Sequence, residues 1–394
     1  MNIQRFLVRI RGLACVALLV AASEAASVTL EDALREYETL QGSKAMAVSF
    51  SDDPVAFNAG GHANNAGAVQ AALDGCDLAR EEQGSAQPCE IYRLNEATAS
   101  SSVEIKAGSE APHPLFMWRY QNGPSRVDLV GTIHVLKASL HPLPQPIETA
   151  FIEADRIVVE ADVVNADPAS VMQAFAKFAL LPRGTRIEEH MDAEQLDRLK
   201  GVLGDIEPIA RIKPMFIASQ LTVGRLVEFG YLPNFGLEVH FLLRRGDRAI
   251  HELESVEEQF ALLANVPMPD QVELLANTLD DMAGIEPMIA QLVRSWFLGD
   301  DDAMLRLFEE YTVGTADRAL LETLIYERNV TMAAGIKDLL GKPGNWLVLV
   351  GAGHLPGPRG IVALLEAQGA RAHRVMSDDT MQEQPSGSST NGQS

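Results

Sequence analysis

Leu129-Val130-Gly131-Thr132-Ile133-His134, near the middle of the chain, has a counterpart near its end, Leu349-Val350-Gly351-Ala352-Gly353-His354. Each follows a short, mostly apolar β-type run, Val127 to Val130 and Trp346 to Val350. Runs of this kind are the pattern of parallel strands buried on both faces. In each copy Gly ends the run and His follows three residues later. Ligands of open α/β sheets bind beyond the carboxyl ends of the strands. Both imidazoles are therefore expected on the side where such proteins do chemistry. Gly131, Gly351 and Gly353 allow a sharp turn or a close backbone approach to a ligand. The plainer alternative is a strand-end His satisfied by a neighbouring carbonyl.

Outward from the first motif, Phe116 to Tyr120, Asn122-Gly123 and Val127 to Val130 predict a β-hairpin. Gln145 to Ala154 reads as a helix and Arg156 to Val159 as a buried strand ending in Glu160-Ala161-Asp162. That is a β-loop-α-β unit, with Glu160 expected near His134 because adjacent parallel strands end together. Helices are predicted at Pro168 to Leu181, Ala193 to Leu203, Pro214 to Phe229, Val256 to Ala264, Pro269 to Phe297, Ala303 to Tyr311 and Ala316 to Leu340. Phe235 to Phe241 is ambiguous between strand and helix. As a strand it points Glu238 and His240 the same way, as a metal pair. Gly344 to Val350, a helix from Gly357 to Gly369 and a strand from Ala370 to Val375 complete the domain. The fold class is α/β: a mixed sheet core with parallel β-loop-α-β units bearing two GxxH motifs, many flanking helices and a small N-terminal α/β module.

The first residues carry Arg5, Arg9 and Arg11, then an apolar run from Leu13 to Ala22 that is too short to span a bilayer. Cleavage after Ala25 is expected, giving a signal peptide at 1–25 and a protein exported to a bacterial periplasm or beyond. The net charge is −22, and losing three Arg and one Glu with the signal takes it to −24. That excludes nucleic acid as a partner, since phosphate binding needs clustered Lys and Arg. No later run reaches membrane-spanning length. Two cysteines remain, Cys76 and Cys89, and in an oxidising compartment such a pair predicts a disulfide. They sit in a module at 26–113. It has a strand at Ala45 to Phe50, a loop at Asn58 to Gly67, a helix at Ala68 to Glu82, a strand at Cys89 to Leu94 and a linker at Ala97 to Pro114. The main domain spans 114–376, and 377–394 reads as a disordered tail.

HExxH, GxSxG, Walker and dinucleotide motifs are all absent, which removes standard zincins, serine hydrolases and nucleotide enzymes. What stands instead is a set of blocks: Gly131 to His134, Val158-Val159-Glu160-Ala161-Asp162, Gly236-Leu237-Glu238, Leu253-Glu254, Glu327-Arg328-Asn329 and Val350 to Gly360. This order resembles the TraB/GumN family, which is similar to the Tiki metalloproteases and the erythromycin-esterase/ChaN-like group. The resemblance covers roughly Pro114 to Val375. It implies an α/β fold with both GxxH histidines and nearby carboxylates on one cleft. It also implies a divalent-metal hydrolase, with peptide-bond cleavage as in the Tiki branch. Many relatives carry Gly-x-Asp where this chain has Gly236-Leu237-Glu238, so the carboxylate here reaches one methylene further.

A catalytic divalent site needs two or three protein ligands, an open position for water and a base or acid nearby. His134, Glu160 and His354 are the expected ligands, suited to Mn, Co, Zn or Fe(II). Glu238, Glu254 or Glu327 is expected to supply a fourth ligand or the general base. Arg328 is expected at the oxyanion, and Asn329 orients the substrate carbonyl or a ligand. Each also has a plainer alternative: a surface Glu327–Arg328 pair, Glu160 as a helix cap, and Glu254 to Glu258 as an acidic first turn. The expected protein is an exported metal-dependent hydrolase acting on a peptide or protein substrate. The alternatives are a non-catalytic peptide- or signal-binding protein and a metal- or haem-handling protein using the same cleft.

Overall fold

The computed structural model describes residues 29–310 and 321–379. The expected signal, Tyr311, the start of the helix expected at 316 and the tail beyond Asp379 lie outside the described residues. The first sheet has four strands: β1 (Ser43–Ser49), β2 (Val55–His62), β3 (Glu90–Leu94) and β4 (Ala97–Thr98). Their order is β2-β1-β3-β4, all antiparallel. The helix Asn65–Glu82 packs on it, started by the Asn64 side chain, which accepts from Gly67 N. Cys76 on that helix and Cys89 beside β3 are at disulfide distance, with Cα atoms 6.1 Å apart.

The second sheet has six strands: β5 (Pro114–Asn122), β6 (Ser125–Thr132), β7 (Arg156–Val159), β8 (Ala249–Glu252), β9 (Gly344–Gly351) and β10 (Ala372–Met376). The order is β10-β5-β6-β9-β7-β8. β5 and β6 form the expected hairpin, and β6, β9, β7 and β8 run parallel. β9 lies between β6 and β7, which were expected side by side. Its apolar run, Trp346 to Val350, is buried throughout and belongs at the centre of a sheet covered on both faces. The register pairs Thr132 with Gly351, so the two GxxH motifs leave neighbouring strands at the same level.

Four expectations need correction. Asn58 to His62 is strand β2, not loop: Gly60 lets β2 lie against Leu40, whose Cβ is 2.9 Å from where a Cβ at 60 would stand. The expected linker contains β4 and a helix, Ser102–Lys106, whose Ser101–Glu104 capping box closes its first turn. The long helix expected from 269 to 297 is two, Met268–Asp280 and Ile285–Phe297, broken where Gly284 N donates to the Asp281 carboxylate. The ambiguous stretch is a helix, Leu237–Leu243, so Glu238 and His240 diverge and do not form a pair.

The two sheets share one hydrophobic core, in which Ile91, Leu94 and Ile105 join Trp296 and Phe297. A buried polar knot also ties them. Glu90 accepts from Ser102 N at 3.0 Å and Oγ at 2.7 Å, and Lys137 Nζ stands 3.3 Å from it. Lys137 also donates to Ser100 O, whose own N–H donates to Glu286. Among the described residues no helix is long and apolar enough to cross a membrane.

Candidate functional site

The carboxyl ends of β6, β9 and β7 deliver His134, His354 and Glu160 to one cleft of about 570 Å3. Past the end of β7, Glu254 N donates to Glu160 O at 2.8 Å, which carries the strand pairing forward and sets the two glutamates side by side. Glu238 enters from the helix that begins after Gly236. A Cβ at Gly236 would stand 2.1 Å from His134 O, so only glycine lets this helix approach the first motif. Leu237 N then donates to Ile133 O at 3.1 Å.

The two histidines are held alike and charged differently. His134 Nδ1 lies 2.8 Å from Glu238 Oε1, which also accepts from Thr132 Oγ1. The His134 ring is 73% exposed, and its Nε2 has no hydrogen-bond partner among the described residues. The Glu238 carboxylate beside it raises its pKa to about 9. His354 is buried, and its Nδ1 lies 2.6 Å from Asn329 Oδ1. Asn329 Nδ2 donates to Arg359 O at 2.9 Å, which fixes the amide orientation, so His354 Nδ1 carries the proton and Nε2 the lone pair. Burial pushes the His354 pKa down to about 4.

Arg328 organises the remainder. Its Nε donates to Glu254 at 2.9 Å, Nη2 to Glu254 at 2.7 Å and to Glu160, and Nη1 to Leu324 O at 2.8 Å and His354 Nε2 at 3.2 Å. Those are all five N–H groups of a guanidinium. None is left for an oxyanion, so Arg328 in this arrangement positions Glu160 and His354. Burial alone would raise the Glu160 pKa, but the positive charge around it, Arg328 above all, holds it below the usual carboxylate range. Its Oε1 accepts from Gly351 N at 2.6 Å. Burial likewise opposes ionisation of Glu238, and His134 outweighs it.

The structure thus gathers His134, Glu160, Glu238, Glu254, Arg328, Asn329 and His354. Glu327 is exposed and does not line the cleft. His240 turns to Glu148 at 3.0 Å. Glu257 and Glu258 do form the acidic first turn of the helix Val256–Asn265, capped by Ser255, whereas Glu254 precedes the cap and serves Arg328. Thr132 was missed, though its place inside the first motif was the available signal. Leu324 and Ile325, which also line the cleft, lie on a π-turn, Glu322–Tyr326, just ahead of Arg328.

A divalent ion would have to be held by this donor set. The two imidazoles and Glu160 are suitable in kind, and tying each Nδ1 is how proteins prepare histidine ligands, but only the His134 Nε2 is open, since Arg328 donates to that of His354. The arrangement itself does not fit. Among the described residues no three His, Cys, Asp or Glu side chains are grouped to hold an ion, and Arg328 bridges Glu160 and His354 instead.

Residues 116–374 match the family described as TraB/PrgY/gumN. The chain belongs to that family. Two proteins called YbaP, both described as uncharacterized, are similar to it, from Escherichia coli (strain K12) and Shigella flexneri. Each is 27% identical over 248 residues, covering 60% of this chain and 86% of the relative. No solved structure matches the chain. The TraB/PrgY/gumN region takes in every residue of the cleft and leaves out the four-stranded module.

Proposed function

We propose that the protein is an exported hydrolase that cleaves peptide bonds in this cleft. The observation that carries the proposal is His134, fixed by Glu238 at Nδ1 and open at Nε2, facing the Glu160–Arg328–His354 cluster. With His134 neutral, Nε2 takes a proton from water, and the hydroxide oxygen bonds to the carbonyl carbon. The C–N bond then breaks, and His134 returns its proton to the leaving amine. Glu238 orients the ring and stabilises the imidazolium, as the carboxylate of a catalytic triad does. Arg328 keeps Glu160 ionised and His354 in place. Export is supported by the basic and apolar N-terminal pattern and by the Cys76–Cys89 pair.

A divalent ion held by His134, His354 and Glu160 is the second reading, favoured by two histidines each tied at Nδ1. When bound, such an ion would supply Lewis acidity and lower the pKa of its water toward ~7. It requires Arg328 to release Glu160 and His354. Metal analysis of purified protein and a peptide-library digest, each with and without chelator, decide between the two. Cleavage that survives chelation, at substoichiometric metal, supports His134 as the base. Cleavage abolished by chelator and restored by one metal supports the ion. No cleavage under either condition rejects the hydrolase and leaves a binding protein.

A further inference from the structure

The cleft does not end at the histidines. Its wall of Val163, Gln259 and Leu263 also lines a second cavity, of about 900 Å3, between the helices Pro168–Phe178, Pro214–Glu228 and Val256–Asn265. That volume lies within the range of small-ligand sites. Phe175, Phe216 and Phe260 pack together along it, with ring centroids 5.7 to 6.4 Å apart. Val202 and Leu203 stand 44% and 39% exposed at its edge, so this apolar surface faces solvent. Among the described residues the charged groups in its lining are Arg225 and Glu228, which pair with each other at 2.7 Å. Ser219 Oγ is spent on Met215 O in its own helix. The Gln259 side chain makes no hydrogen bond among the described residues. It stands on the wall between the two cavities, with an amide donor and acceptor both available.

We propose that this groove is a subsite for an apolar peptide segment that extends from the bond held at His134, with the Gln259 amide bonding the segment's backbone. The segment's role as substrate rests on the hydrolase reading; its binding does not. The shared wall lets one extended ligand occupy both cavities. The apolar lining selects Leu-, Val- or Phe-like side chains. Gln259 favours a peptide over a fatty acyl chain, because its amide donor and acceptor match a peptide backbone and have no counterpart on an acyl chain. An anionic membrane is disfavoured by the net charge of −22.

Binding is measured apart from turnover, by fluorescence anisotropy with the full chain. The probes are a fluorescein-labelled pentapeptide of Leu, Val and Phe, one of Ser and Asn, and a labelled fatty acid. Wild type and His134→Ala are expected to bind the apolar peptide equally, and about tenfold or more better than the polar one. Leu203→Asp, a charge at a half-exposed rim position checked by thermal melt, should weaken that binding about tenfold. Gln259→Leu should weaken peptide binding and leave the fatty acid unaffected. Equal binding of the two peptides, wild-type affinity in Leu203→Asp, or displacement of the peptide by fatty acid at equal concentration overturns the proposal. Apolar binding with no cleavage by wild type rejects the hydrolase and leaves the subsite standing. Cleavage without apolar preference does the reverse.

Discussion

A histidine serves as a base when one nitrogen is fixed and the other is free, and His134 meets both conditions through Glu238. The carboxylate favours the imidazolium, so the neutral form gains population as pH rises toward about 9. Activity that depends on neutral His134 should therefore rise across that range. Glu238→Gln removes the charge, so the limb should move down toward the ordinary value of about 6.5. The rate at its plateau should fall about a hundredfold as the ring loses its orientation. A pH–rate profile of kcat/KM for both proteins checks this, and an unmoved limb rejects the dyad. Arg328 gives a second test. Arg328→Ala leaves Glu160 and Glu254 as adjacent unpaired carboxylates, each about one-tenth exposed, and should cost about 3–5 kcal/mol in a denaturant melt. Arg328→Lys should recover little of it, because a point charge cannot form the fork that grips both glutamates. The types of these residues were legible in the sequence. The saturation of Arg328 was not, because it depends on Leu324 O and Glu254 arriving from separate elements.

Elements bearing an unbroken apolar run or a clear cap were the legible ones. β6 and β9 stand as expected, and so does the helix Ala193–Leu203, with its Asp192–Gln195 capping box. The position of β9 between β6 and β7 was hidden, since periodicity reports burial and not strand order. The helix from 269 to 297 was over-extended because apolar spacing continues across Asp281 to Gly284, where a side chain intercepts the backbone. β2 was lost because Gly, Asn and Ala read as loop wherever close packing on a neighbour is unseen. Gly236 shows the same effect at the site, as its need comes from His134 O on a distant loop. Gly236→Ala should push the helix Leu237–Leu243 off the first motif and part Glu238 from His134. The expected cost is about 1–3 kcal/mol in stability. Activity should fall as far as in Glu238→Gln, with the same downward move of the pH limb. A Gly236→Ala protein with wild-type kinetics would show that the helix docks without that contact.

At the scale of the molecule, the module and the TraB/PrgY/gumN region are joined by a common core and by a knot in which Glu90 and Lys137 are both almost wholly buried. Two parts so connected should melt together. The Cys76–Cys89 pair acts on that shared transition by closing a short loop within the module. In the chain-entropy account such a closure is worth about 3 kcal/mol. Cys76→Ala with Cys89→Ala should therefore lower the stability of the whole molecule, and calorimetry should still record one transition. The fully buried Cys76 makes Ala the better replacement, since Ser would bury a hydroxyl. Peptidase activity, if present, should be unchanged at 25 °C, because the pair lies outside the cleft and the native packing survives its loss. Reductant should lower the melting temperature of wild type and leave the double variant unaffected, which separates the cross-link from the substitutions. Two resolved transitions would mean that the knot is too weak to couple the parts, and that the module folds as a separate unit.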